Sequence, residues 1–69
     1  MKIVINGKEV DCTDGITVSG LLAEQKVKAP EMVSVELNGR ILRRADFVGA
    51  ILKNHDEVEF LYFMGGGAK

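Results

Sequence analysis

The sequence predicts an α+β domain, a mixed sheet of four to five strands with one main helix packed on one face. Three observations predict it. Two Asn-Gly pairs, Asn6-Gly7 and Asn38-Gly39, each sit between short alternating apolar runs. A single stretch between Thr17 and Pro30 carries its apolar residues at helical spacing. The run at 57–63 alternates again and is the clearest strand in the chain.

Residues 2–13 read as a hairpin. Ile3 and Ile5 alternate with Lys2 and Val4, and Val10 and Cys12 with Glu9 and Asp11, on either side of Asn6-Gly7. Both turn residues tolerate the positive φ that a type I′ turn requires. Asp14-Gly15 closes the second strand. Thr17 is placed to cap a helix through its hydroxyl, with Val18, Leu21, Leu22 and Gln25 following on one face. Gly20 weakens that helix by roughly 1 kcal/mol relative to Ala. Glu24 and Lys28 are four apart in the favourable order, and Pro30 ends the helix by about Lys28.

Val33, Val35 and Leu37 form a third alternating run, and residues 40–43 carry Ile41 and Leu42 into a fourth. Residues 45–52 fit a short helical turn with Phe47 and Ile51 inward, while Asn54-His55-Asp56 is a polar turn. In the last strand Val58, Phe60, Tyr62 and Met64 share one side, and Glu57, Glu59, Leu61 and Phe63 the other. The resulting order (hairpin, crossing helix, further strands) is β-grasp-like. One helix covers only one face of such a sheet. Leu61 and Phe63 therefore either lie under residues 45–52 or form part of a binding face.

A chain of 69 residues, 46% hydrophobic and with a formal net charge of -1, allows one compact domain. Ordering each residue costs about 1.5 kcal/mol, which leaves one small core little surplus for lining a deep enzymatic cleft. One Cys and one His cannot make a four-ligand structural zinc site or a disulfide framework. The near-neutral charge gives no reason to expect nucleic acid. No apolar stretch reads as a signal peptide or membrane span, so the expected setting is cytoplasmic. Cys12 alternates with Val10 on the apolar side and reads as a small buried hydrophobe. His55 reads as an exposed turn residue, although its ordinary pKa would suit acid–base work. Arg40, Arg43, Arg44 and Lys53 are the only basic concentration.

Residues 1–64 are assigned to the domain and residues 65–69 to a flexible glycine-rich tail, in which Gly65-Gly66-Gly67 precede Ala68-Lys69. A glycine run can lie flat in a narrow tunnel of another protein because it has no Cβ to clash.

The whole chain resembles the ThiS/MoaD group of small sulfur-carrier proteins, with the thiamine-pathway carriers the closer match. The resemblance rests on Ile3-Val4-Ile5-Asn6-Gly7-Lys8, Gly15-Ile16-Thr17-Val18 before Leu21-Leu22, and Val35-Glu36-Leu37-Asn38-Gly39 with Ile41 and Arg44 after it. Asp56-Glu57-Val58-Glu59 and the glycine tail complete it. Each piece is common, and their order and spacing make the resemblance specific.

The resemblance implies a β-grasp, ubiquitin-like fold and a protein that is a cosubstrate and not an enzyme. By position, Gly66-Gly67 match the terminal diglycine, with Gly67 as the site of adenylation and thiocarboxylate formation; Gly65 and Gly66 would thread the tail. The implied partners are an E1-like adenylyltransferase that uses ATP and magnesium, and a sulfur-accepting synthase. Glu57, Glu59, Leu61 and Phe63 are candidates for docking the activating enzyme. The chain departs from the pattern at Ala68 and Lys69, since Gly67 then carries an amide. Either a protease removes these residues, or activation has been lost and the fold kept for binding, or they are a non-native addition. A ubiquitin-like interaction module that is never processed is the main rival, and a modifier conjugated through Gly67 is another. A stand-alone enzyme is weakest: no catalytic carboxylate pair, Ser/His/Asp set or phosphate loop is present.

Overall fold

The computed structural model describes residues 1–62. Phe63, Met64 and the glycine tail, and with them the expected domain boundary, lie outside the described residues. The elements are β1 (Lys2–Ile5), β2 (Lys8–Asp11), α1 (Val18–Glu24), β3 (Val33–Leu37), β4 (Arg40–Ile41) and β5 (Glu57–Tyr62), with 3-10 turns at Pro30–Met32 and Arg44–Asp46. The five strands form one sheet in the order β2-β1-β5-β3-β4. Strand β5 sits in the middle, parallel to β1 and antiparallel to β3, so the sheet is mixed. With α1 on one face, the expected β-grasp arrangement is what the chain adopts.

Both Asn-Gly turns have the predicted conformation. Asn6 and Gly7 take φ of 49° and 83°, and Asn38 and Gly39 take 51° and 85°. Their asparagine side chains also serve the central strand. Asn6 Oδ1 accepts the Phe60 N–H at 2.9 Å, and Asn38 Oδ1 accepts the Glu57 N–H at 2.9 Å.

Helix α1 starts where expected: the Gly20 N–H donates to the Thr17 hydroxyl oxygen at 3.0 Å. It ends four residues earlier than Lys28. Lys26 takes a left-handed φ of 55°, its N–H donates to Ala23 O and that of Val27 to Leu22 O, both at 3.1 Å. This is a Schellman close, with Val27 packed on the core beyond it. Lysine in the position usually held by glycine gives no sequence signal for it. The expected Glu24–Lys28 pair is not formed. Glu24 instead accepts from the Thr13 hydroxyl at 2.6 Å and the Thr13 N–H at 3.3 Å, which ties the helix end to the loop after β2. Gly20 has a packing reason: a Cβ there would stand 2.9 Å from Ile16 Cγ1.

The core comprises Ile3, Cys12, Val18, Leu21, Leu22, Val33, Val35, Phe47, Leu52, Val58 and Phe60. Phe47 is inside as predicted, but Ile51 is 62% exposed and Leu52 takes its place. The reason is local backbone. The turn that begins at Arg44–Asp46 continues through residues 47–49, and beyond it Ile51 bridges Thr17, with Ala50 O accepting the Val18 N–H at 3.0 Å and the Leu52 N–H donating to Ile16 O at 2.8 Å. A period of two puts Ala50 and Leu52 inward and Ile51 outward. Strand β4 is also shorter than the expected 40–43, because Arg44 is held elsewhere. Its guanidinium donates to Val33 O at 2.6 Å and Pro30 O at 3.2 Å and lies 5.1 Å from the Phe47 ring centre.

Candidate functional site

Residues 45–52 pack beside α1, against the same core as the helix. Phe47, Ala50 and Leu52 of this segment pack on the core side of the sheet, and Leu61 alternates to the other side. That face is built by alternation. With Val58 and Phe60 committed to the core, β5 presents Glu57, Glu59 and Leu61 to the other side. The two glutamates are exposed and Leu61 is half-buried.

Strand register supplies their neighbours. Val4 stands beside Glu57 and Glu9 beyond it, Glu36 stands across from Glu59 with Ile41 beyond, and Ser34 lies across from Leu61. Ile41 is 61% exposed, although a strand residue of its kind is normally covered. The sequence singled out the β5 residues because they lie in one run. It missed Val4, Glu36 and Ile41 as part of the same face, since only the register of three other strands brings them there.

Tyr62, the last described residue of β5, is the register partner of Val33 at the start of β3. Tyr62 lies on the core side, as its alternation requires, yet is 49% exposed. The predicted Phe63, Gly65, Gly66 and Gly67 follow it and lie outside the described residues.

The other singled-out residues have structural roles. Cys12 is buried, and burial, helped by the Glu24 charge, pushes its thiol above its ordinary pKa. A thiol so placed is a poor nucleophile. His55 is exposed in the turn before β5, at a positive φ of 71°, with its N–H donating to Lys2 O at 2.6 Å. Asp56 ties that turn together by accepting from Asn38 Nδ2 at 3.1 Å and the Lys53 N–H at 2.8 Å. The basic residues do not act as one patch: Arg43 pairs with Asp46 at 3.2 Å, and Arg44 holds backbone carbonyls. Among the described residues no group of three or more His, Cys, Asp and Glu side chains could hold a metal ion. Among them, too, no helix is long and apolar enough to cross a membrane.

A mixed five-stranded sheet with one main helix, its central strand leading towards a glycine run, defines a β-grasp module of the ubiquitin-like class. Residues 3–67 match the ThiS family. The crystal structure of the thiamine biosynthesis protein ThiS from Geobacter metallireducens superimposes with a TM-score of 0.85 at 48% identity, covering 97% of this chain and all of that one. A solution structure of a thiamine biosynthesis protein from the same organism gives a TM-score of 0.79 at 46% identity, covering 100% of this chain and 91% of that one. Among curated proteins, a thiazole synthase of Magnetococcus marinus is 37% identical over 67 residues, which is 97% of this chain and 20% of the relative. A thiazole synthase of Paramagnetospirillum magneticum is 35% identical over 68 residues, 99% of this chain and 21% of the relative. The chain thus spans about a fifth of the length of the curated relatives it matches. The chain belongs to the ThiS family.

Proposed function

We propose that the protein carries sulfur on the carboxylate of Gly67 and delivers it to thiazole formation in thiamine biosynthesis. The observation that carries this reading is the placement of β5. The central strand leads in sequence straight to Gly65-Gly66-Gly67 while it presents Glu57, Glu59 and Leu61 on the face the helix leaves open. A partner seated on that face is adjacent to the strand from which the tail departs.

The chemistry explains the division of labour. A carboxylate resists attack because its oxygen is a poor leaving group. An E1-like adenylyltransferase, using ATP and magnesium, converts it to an acyl adenylate and releases pyrophosphate. A persulfide sulfur then attacks the carbonyl carbon, AMP departs, and reductive cleavage of the sulfur–sulfur bond by a thiol leaves the thiocarboxylate. The partner must stabilise the charge that develops on the carbonyl oxygen, because the glycine run offers only backbone amides. Gly65 and Gly66 let the tail pass through a narrow channel to that centre. Leu61 and Phe63, flanked by Glu57 and Glu59, dock the activating enzyme. A sulfur-accepting thiazole synthase takes the product, as fits the two relatives in which a similar segment belongs to a protein of that name. The expected setting is the cytoplasm, where ATP and these enzymes meet.

In the sequence as it stands Gly67 is bonded to Ala68, so hydrolysis of that bond by a protease precedes activation. The test is the intact mass of the protein recovered from its native cells. A species ending at Gly67, part of it heavier by one oxygen-to-sulfur exchange, is the expected result. A uniform mass that retains Ala68, unchanged when the cells are starved of thiamine, would establish the rival reading, a ubiquitin-like binding module that carries no sulfur.

A further inference from the structure

The β3–β5 register sets Glu36 directly across from Glu59, both on the face opposite the helix. Two carboxylates in register oppose folding, and burial does not require them there. Lys2, the cation that β1 alternation places on this face, pairs with Asp11 at 3.1 Å. Among the described residues none forms an ion pair with Glu36, Glu57 or Glu59. Around the pair lie half-buried Leu61 and Val4 and the largely exposed Ile41. An apolar centre ringed by uncompensated charge of one sign fits a protein surface of opposite charge.

We propose that Glu36 and Glu59 together receive an arginine or lysine of the activating enzyme, and that this pair selects the partner. The inference deepens the carrier reading and rests on it. Side chains in register stand about 5 Å apart at Cβ, so one guanidinium reaches both carboxylates with its fork of donors. The repulsion present in the free carrier vanishes in that complex. A surface without a cation at this point leaves two carboxylates unpaired as water is expelled, which disfavours it.

The test compares the chain ending at Gly67 with its Glu36→Gln and Glu36→Lys variants, by thermal unfolding and by titration with the E1-like adenylyltransferase of the same organism. ATP is left out, so acyl transfer is not read. Glu36→Gln keeps the side-chain shape and should raise the Tm by about 2–4 °C, through relief of the cross-strand repulsion. It should also weaken binding roughly five- to thirtyfold at low salt and flatten its salt dependence. Glu36→Lys should pair with Glu59, fold at least as stably and bind more weakly still. An affinity of Glu36→Gln within twofold of the unsubstituted chain overturns the proposal, as does an unchanged Tm or no binding by the unsubstituted chain. Normal binding without any sulfur loading once ATP and a persulfide are added would instead overturn the carrier function and leave this docking intact.

Discussion

The side-chain oxygen of Asn6 accepts the backbone N–H of Phe60 across 54 residues of sequence, at 2.9 Å. Strand β1 ends at Ile5 while β5 runs on to Tyr62. Asn6 continues the ladder once with its own N–H, which donates to Val58 O at 2.9 Å, and then the chain turns away. The Phe60 N–H would be left without a partner on that side. The Asn6 amide replaces the missing strand, so one residue both makes the first turn and completes the central strand.

Substitution at Asn6 separates these two jobs. Asn6→Gly keeps the positive φ and loses the bond to Phe60, which should lower stability by about 1 kcal/mol. Asn6→Ala loses the bond and adds left-handed strain, for a total of about 2 kcal/mol. Urea unfolding of both variants measures the difference. Equal stability of Asn6→Gly and the unsubstituted protein would show that the bond contributes nothing.

Lys26 closes α1 at a φ of 55°, where an L side chain is strained by about 1 kcal/mol or more. Lys26→Gly should therefore raise stability by about 0.5–1 kcal/mol, the remainder being offset by the greater freedom of glycine in the unfolded chain. A urea midpoint no higher than that of the parent would refute the assignment of strain to this helix end. Since Lys26 lies away from the open sheet face, activation by the partner should be unaffected.

The sheet was legible in the sequence because its signals are local. Asn-Gly pairs specify their turn by backbone preference, and Val33, Val35, Val58 and Phe60 specify their face by alternation. Thr17 was legible for the same reason. What was not legible depended on distant partners. Ile51 turned outward because bridging to Thr17 makes its segment extended and not helical. Glu24 found Thr13 once the Lys26 turn had ended the helix before Lys28. The candidate site divides in the same way: Glu57, Glu59 and Leu61 are consecutive odd positions of one strand, whereas Glu36, Ile41 and Val4 join them only through register.

Cys12 gives the pH dependence. Burial raises its pKa in the folded protein, so on raising the pH the unfolded chain releases the thiol proton first. This contribution to stability is fully present below the ordinary thiol pKa and declines as pH rises above roughly 8.5 towards the raised folded value. Stability measured between pH 7 and 10 should fall more steeply for the parent than for Cys12→Ala, even though the variant starts lower from the loss of packing. Parallel curves would refute the link. Alkylation of the native thiol should likewise be slow and follow unfolding, because the reactive thiolate is suppressed.

The last prediction concerns Gly67 and Leu61 together, because their failures differ. In the chain matured to residue 67, Gly67→Val should leave folding and docking intact while adenylation falls by a hundredfold or so, in keeping with the loss caused by misplacing a reacting atom by about 1 Å. Leu61→Ser should do the reverse. It removes an apolar contact at the centre of the face, so the apparent KM for the activating enzyme should rise about tenfold, with little change in kcat once the complex is saturated. Pyrophosphate release, followed over a range of carrier concentrations, reads both constants. Normal turnover of Gly67→Val would show that the tail is not what enters the catalytic centre. An unchanged KM for Leu61→Ser would show that the open sheet face is not where the enzyme sits.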